Sequence, residues 1–285
     1  MMTAEFIHKV FLSIRFLFAK CLLLTKIYYW LTIIIHHNTS LFEQVRIFKN
    51  EKRIQTTIIE IKEVNEYRKK SNSKKGEKRL LKIYITRHGE TEWNIQKRLQ
   101  GWRDSELTEN GIKNAMSLGV RLKGVNFNTI YSSPSTRTMM TANLISADRD
   151  IPIIINSNLK EINMGDWEGK THSYIEEHYP NEYFSFWNTP HLYTPINGET
   201  YIELHSRVIK ALNEIKNHHD SGNVLIVTHT VVIKCLLAFF KNQPLEKLWE
   251  PPFIHDTSLS VVEIESENAR IVLEGDISHR EGIYK

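Results

Sequence analysis

The chain has 285 residues, 37 of them Lys or Arg and 33 Asp or Glu, for a formal net charge of +4. At 41% hydrophobic and 25% charged residues its composition is that of a globular protein, which excludes wholesale disorder, a collagen-like repeat and a polytopic membrane protein. Two cysteines, Cys21 and Cys235, are too few for a disulfide framework and fit a reducing, cytoplasmic compartment. No CxxC or HxxxH spacing points to a structural zinc site.

The modest charge conceals a division. Residues 1–80 carry 16 Lys and Arg against 7 Asp and Glu, a net of +9, whereas residues 81–285 carry 21 against 26, a net of −5. The first 75 residues contain no Gly, Pro or Asp, the residues on which turns in a compact domain draw. All eight prolines and eleven of the twelve glycines lie in 81–285. Two kinds of sequence share one chain: an apolar-rich, basic extension over 1–80 and an ordinary globular domain over 81–285.

Within the extension, Val10 to Ile35 is rich in Leu, Ile, Phe and Tyr but is interrupted by Arg15, Lys20 and Lys26. Its longest charge-free stretch, Ile27 to Ile35, has nine residues, against the roughly 20 needed to span a bilayer. A signal peptide fits no better, for want of a clean apolar run and a small-residue cleavage site. On a helical wheel Lys9, Arg15, Lys20 and Lys26 fall within an arc of ~140°, the pattern of a basic amphipathic helix on a membrane surface. An extension without specific function is the stronger reading and a membrane-surface anchor the weaker. A rough helical period continues through Leu41, Val45, Phe48, Ile54, Ile58 and Ile61. The run Arg68 to Arg79 reads as a solvated linker, and the absence of interleaved aromatics argues against a nucleic-acid partner.

Three apolar runs in the second part share one design. Lys82 to Thr86 leads into Arg87-His88-Gly89, Asn128 to Tyr131 into Ser132-Ser133-Pro134 and on to Arg137, and Val224 to Thr228 into His229-Thr230. Each predicts a buried strand followed by a helix, over Thr108 to Lys123, Ser135 to Ile145 and Thr230 to Lys241. Such alternation predicts an α/β three-layer sandwich, with a mostly parallel central sheet and helices on both faces. Ligands in such sheets bind beyond the carboxyl ends of the strands, where two histidines and two arginines would meet. Arginine forks match phosphate oxygens, and a histidine beside them can attack phosphorus or hold the phosphate.

The motifs, in order, are Arg87-His88-Gly89-Glu90-Thr91-Glu92-Trp93-Asn94, then Gln100-Gly101-Trp102-Arg103-Asp104, and Ser132 to Arg137 with Thr141-Ala142. Leu159-Lys160-Glu161-Ile162 with Gly165-Asp166-Trp167-Glu168-Gly169, and Thr228-His229-Thr230, complete the set. Over residues 82–285 they resemble the histidine phosphatase (phosphoglycerate mutase-like) superfamily, on its phosphatase branch. The resemblance implies that His88 is the nucleophile and forms a phosphohistidine. It implies that Arg87, Arg137 and His229 bind the phosphoryl group, with Asn94 at its edge and Gln100, Gly101 and Thr230 on the substrate side. Glu161 would protonate the leaving oxygen and then activate water. No metal and no cofactor is implied, and the implied partner is a small phosphomonoester. Many family members carry Gly where this chain has Thr230, whose hydroxyl can still cap the helix or touch phosphate.

A phosphoglycerate mutase needs additional cations for its second anionic group. The expected lid, Thr171 to Gly198, has no Lys or Arg but holds Tyr174, Tyr179, Tyr183, Phe184, Phe186, Trp187 and Tyr193. Hydrolysis of an apolar or aromatic monoester is therefore favoured over mutase chemistry or an inactive phospho-ligand binding module. The aromatic residues equally suit a packed subdomain core. The pairs His36-His37 and His218-His219 read as exposed polar residues, and Cys235 as core.

Overall fold

The computed structural model describes residues 79–266 and 268–280, and the expectations for the basic extension lie outside these residues. The described chain runs β1 (Leu80–Arg87), α1 (Glu92–Ile95), α2 (Glu109–Arg121), β2 (Thr129–Ser132), α3 (Thr136–Ser146) and β3 (Ile153–Ile155). It continues through α4 (His172–His178), α5 (Pro180–Asn188), α6 (Tyr201–His218), β4 (Gly222–Thr228), α7 (Thr230–Phe240), β5 (Leu259–Glu265) and β6 (Asn268–Asp276). No described helix is long and apolar enough to cross a membrane.

The sheet has six strands in the order β3-β2-β4-β1-β5-β6. Strands β1 to β4 pair in parallel, and β5 runs antiparallel to both β1 and β6. The helices cover both faces, as the strand–helix alternation predicts. Side chains on a strand alternate between faces, and the two cores follow that parity. Ile83 and Ile85 of β1 and Val224 and Ile226 of β4 pack with Leu204, Val208 and Leu212 of α6 and Val232 and Cys235 of α7. Leu225 and Val227 of β4 and Ile130 of β2 pack on the other face with Leu118 of α2 and Ala142 and Ile145 of α3. The α4–α5 segment extends the first of these cores: Trp167 touches the rings of Tyr179, Tyr183, Phe186 and Tyr193, so most of the expected lid aromatics are packed into it.

Two details bring α2 and α3 onto the end of β1. Thr108 caps α2 through Gly111 N and also donates to Glu90 Oε1 at 2.8 Å, and a Cβ on Gly111 would stand 2.2 Å from Glu90 O. Only glycine permits this approach. On α3, Thr141 Oγ1 accepts from Gly89 N at 2.9 Å. Of the adjacent histidines, His218 is exposed. His219 departs from the expectation: it is half-buried and bonds Tyr131 Oη at 2.9 Å, because α6 ends against β2.

The two-sided burial of β4 sets a test. Ile226→Ala removes a fully buried side chain and is expected to cost ~2–5 kcal/mol in chemical denaturation. Val120→Ala, on a side chain 74% exposed, should stay within ~0.5 kcal/mol of the parent. Comparable losses at the two positions would contradict this register.

Candidate active site

The carboxyl ends of β1 and β4 are neighbours, with Arg87 opposite Thr228 and His88 N donating to Thr228 O at 3.0 Å. Strand β2 lies on the other side of β4, where Ser133 N donates to Val227 O at 3.1 Å. His88, Ser133 and His229 therefore occupy the first position beyond three adjacent parallel strands. Arg87 keeps the parity of Ile83 and Ile85 and donates to Ile254 O at 3.0 Å. Arg137, in the first turn of α3, is carried over the end of β4.

His88 is buried, and its Nδ1 lies 2.8 Å from Gly89 O. A carbonyl only accepts, so Nδ1 carries the proton of the neutral ring and Nε2 keeps a lone pair. Burial holds its pKa well below the usual 6.5, assisted by the charges of Arg137 and Arg87. His229 has the opposite tautomer. Arg137 Nη2 approaches its Nδ1 at 3.1 Å and can only donate, so the ring proton sits on Nε2 and bonds Ser133 Oγ at 2.8 Å. Burial and the Arg137 charge likewise keep His229 neutral well below its ordinary range. The two imidazole centroids are 5.4 Å apart.

The Arg137 side chain is 1% exposed. It donates to Gly101 O at 2.9 Å, Arg103 O at 2.7 Å and Asp104 Oδ1 at 2.9 Å. Asp104 also accepts from the Thr136 and Arg137 amides, capping α3 where the helix dipole favours a carboxylate. Gly101 adopts φ +54°, and a Cβ there would meet Glu168 Oε1 at 2.3 Å. That oxygen accepts from Trp102 N at 2.7 Å, which ties the Gln100–Asp104 loop to the Glu161–Glu168 segment. The Nε atoms of Arg87 and Arg137 and Gln100 Oε1 are buried without a protein partner.

Glu161 is 8% exposed. Its Oε1 accepts from Ile162 N at 3.0 Å and its Oε2 from Val231 N at 3.3 Å, in the first turn of α7. Burial raises its pKa above the usual 4.5, and the two amide bonds and the nearby arginines only partly oppose this. The helix N-terminus after His229 thus faces a carboxyl group of the protein itself. Asn94 Oδ1 accepts from Thr91 N and Oγ1 in a capping box at α1, and Gln100 Nε2 donates to Thr91 Oγ1 at 2.7 Å.

Arg87, His88, Asn94, Gln100, Gly101, Arg137, Glu161 and Thr230 line one cavity of about 460 Å³. His229 and Ser133 line an adjoining one of about 260 Å³ that shares Gly101, Arg137 and Glu161. The expected lid contributes His172, Phe186 and Trp187 to the larger cavity. Its opposite wall, which the sequence reading missed, comes from Trp249, Pro251, Phe253 and Ile254. Two cations outside the lid also reach this cavity. Arg98 Nη1 donates to Gly169 O at 2.6 Å, and Lys234 donates to Glu250 O and Pro252 O. Ser133 was missed although its motif was read, because a run of serines does not reveal which hydroxyl meets a histidine; its place one past the strand end was the available signal. Among the described residues no group of three or more His, Cys, Asp or Glu is arranged to hold a metal ion.

The sequence profile of the histidine phosphatase superfamily (branch 1) matches residues 83–277. Phosphoserine phosphatase 1 of Hydrogenobacter thermophilus is 31% identical over 199 residues, covering 70% of this chain and 93% of its own. A probable phosphoglycerate mutase, GpmB, of Escherichia coli is 30% identical over 212 residues, covering 70% and 95%. The solved structure of YhfR from Bacillus stearothermophilus superposes with a TM-score of 0.69 at 45% identity, covering 70% of this chain and 99% of that one. The chain belongs to the histidine phosphatase superfamily, branch 1, and is an enzyme of phosphoryl chemistry.

Proposed function

We propose that the chain is a metal-independent phosphomonoester hydrolase that works through a phosphohistidine on His88. The observation that carries this reading is the neutral His88 ring, whose proton is fixed on Nδ1 by Gly89 O in a cavity flanked by the buried Arg137 and the half-buried Arg87 guanidinium groups. In the first step His88 Nε2 forms a bond to phosphorus as the bond from phosphorus to the leaving oxygen breaks, and the Glu161 carboxylic acid donates its proton to that oxygen. In the second step the Glu161 carboxylate takes a proton from water, whose oxygen displaces the phosphoryl group from Nε2 and releases phosphate. Arg87, Arg137 and His229 stabilise the charge on the transferring group, His229 by turning its Nε2–H from Ser133 Oγ to a phosphoryl oxygen, with Asn94 Nδ2 at its edge.

Burial supports this division of roles. In water a histidine is cationic and a glutamate anionic between their usual pKa values, the wrong pair for attack and protonation. Here His88 is pushed down and Glu161 up, which favours neutral imidazole and carboxylic acid together. The cation-free lid and the apolar wall of Phe186, Trp187, Trp249 and Phe253 favour a monoester with an apolar or aromatic alcohol. Arg98 and Lys234 support a second reading, a mutase of phosphorylated acids, which gains weight from the GpmB likeness. Assay of 3-phosphoglycerate isomerisation beside release of phosphate from aryl phosphates separates the two.

His88→Ala is expected to abolish turnover, and acid-labile labelling of the parent by a ³²P-phosphomonoester should vanish with it. Activity of the variant within about tenfold of the parent would exclude the covalent route. Glu161→Gln should lower the phosphorylation rate ~10²–10⁴-fold for an alkyl leaving group and far less for p-nitrophenolate, which departs without a proton. Equal losses on both would assign Glu161 a structural part.

The pKa directions fix the pH profile. A base with a lowered pKa is lost only when pH falls through that value, so the acid limb of kcat/KM should lie below pH 6.5. An acid with a raised pKa is lost as pH climbs through it, so the alkaline limb for an alkyl phosphate should lie above pH 4.5 and disappear in Glu161→Gln. An alkaline limb that survives this change unaltered would belong to another group.

A further inference from the structure

The Glu161 side chain has little freedom, yet it leaves the sheet on a loop and not on a strand. What holds that loop is a side chain more than forty positions later. Arg207, in the second turn of α6, donates from Nη1 to Asn158 O at 2.9 Å and Lys160 O at 2.6 Å, and from Nη2 to Glu161 O at 2.8 Å. Its remaining donors meet one carboxylate: Nε reaches Glu199 Oε1 at 2.6 Å and Nη2 reaches Glu199 Oε2 at 2.7 Å. Five bonds match the five N–H groups of a guanidinium. Glu199 grips the far end of the same loop, since its Oε2 accepts from Asn163 N at 3.2 Å and its own N donates to Asn163 O at 2.9 Å. The two side chains are only 16% and 13% exposed.

We infer that the Arg207–Glu199 pair is a positioning device for the proton donor, acting through the peptide group between Glu161 and Ile162. The oxygen of that peptide is held twice, by Arg207 Nη2 and by Trp102 Nε1 at 2.8 Å. Its N–H is the one that bonds Glu161 Oε1. Turning the peptide away from Arg207 therefore withdraws the amide from the carboxyl group and releases the side chain from the orientation that also places Oε2 on Val231 N. Donation into the carbonyl also polarises the amide, so the fork strengthens the bond it aims. A lysine offers three donors from a single point and cannot serve three carbonyls and a bidentate carboxylate at once. Arg207 does not line either cavity, and its hydrogen bonds reach the site through the Glu161 loop.

The inference rests on Glu161 being the acid, so the test carries that assignment as its own control. The full chain is compared with Arg207→Met, Arg207→Met/Glu199→Gln and Trp102→Phe, and with Glu161→Gln. The double variant leaves no buried carboxylate stranded, and Trp102→Phe removes a donor to the same carbonyl without altering charge. The readout is the single-turnover phosphorylation rate with an alkyl phosphate and with p-nitrophenyl phosphate. Misplacement of the acid is expected to cost about tenfold or more on the alkyl ester and less than about threefold on the nitrophenyl ester, in all three variants. Thermal unfolding is followed alongside, and the split between substrates is expected even where stability changes little. Equal losses on both esters, or none, while Glu161→Gln remains selective, would overturn the positioning role and leave the pair a fold clamp. A non-selective Glu161→Gln would overturn the acid assignment and the inference with it.

Discussion

A guanidinium buried at the ends of parallel strands is the constraint on which the site depends. A guanidinium charge taken out of water costs several kcal/mol unless its hydrogen bonds are met. The chain meets those of the two Arg137 Nη groups by folding the Gly101–Asp104 loop across the end of α3, with two main-chain carbonyls and one carboxylate facing the fork. That loop then needs glycine at position 101, a carboxylate at 168 to receive the Trp102 amide, and so a fixed distance to the Glu161 segment. The last bond, to His229, links the arginine to β4. One cation thereby sets the relative places of three segments that share no local sequence.

The same burial governs protonation. Arg137, the buried cation, is supplied with carbonyl and carboxylate acceptors; the imidazoles of His88 and His229 meet a single carbonyl or another donor and stay neutral. Glu161 sits between these cases. The amides of Ile162 and Val231 favour its anion and its burial favours its acid, which suits a group that alternates between the two during a turnover.

Much of this was legible in the sequence because much of it is local. Strands β1, β2 and β4 were visible as apolar runs, and the helices observed over Glu109–Arg121, Thr136–Ser146 and Thr230–Phe240 lie within a residue or two of the predicted ones. Arg87, His88 and His229 stand at strand ends, where parallel sheets place ligands, and the helix after β2 carries Arg137. The missed parts share another property. Trp249, Phe253 and Ile254 reach the cavity from a segment without periodic pattern, and Arg207 lies in an amphipathic helix where one more basic residue marks nothing. Such partners are chosen through space, and neither spacing nor charge along the chain records the choice. The lid reading covers only part of the cavity for a related reason: the lid carries no Lys or Arg, but Arg98 and Lys234 enter the cavity from other elements.

The position of β1 in the sheet bears on how the molecule is made. It is an early described strand, yet it pairs on one side with residues 222–228 and on the other with residues 259–265. During synthesis the strand that ends in Arg87 and His88 gains its first neighbour only after residue 228 has emerged and its second only after residue 265. Contacts of such separation form slowly, because the loop between them must be closed before any pairing is gained. The helices and the β2–β3 pair can assemble earlier from nearby segments, but the neutral imidazole and its cationic surroundings come together only in the finished sheet. An incomplete nascent chain therefore carries the motif without the chemistry.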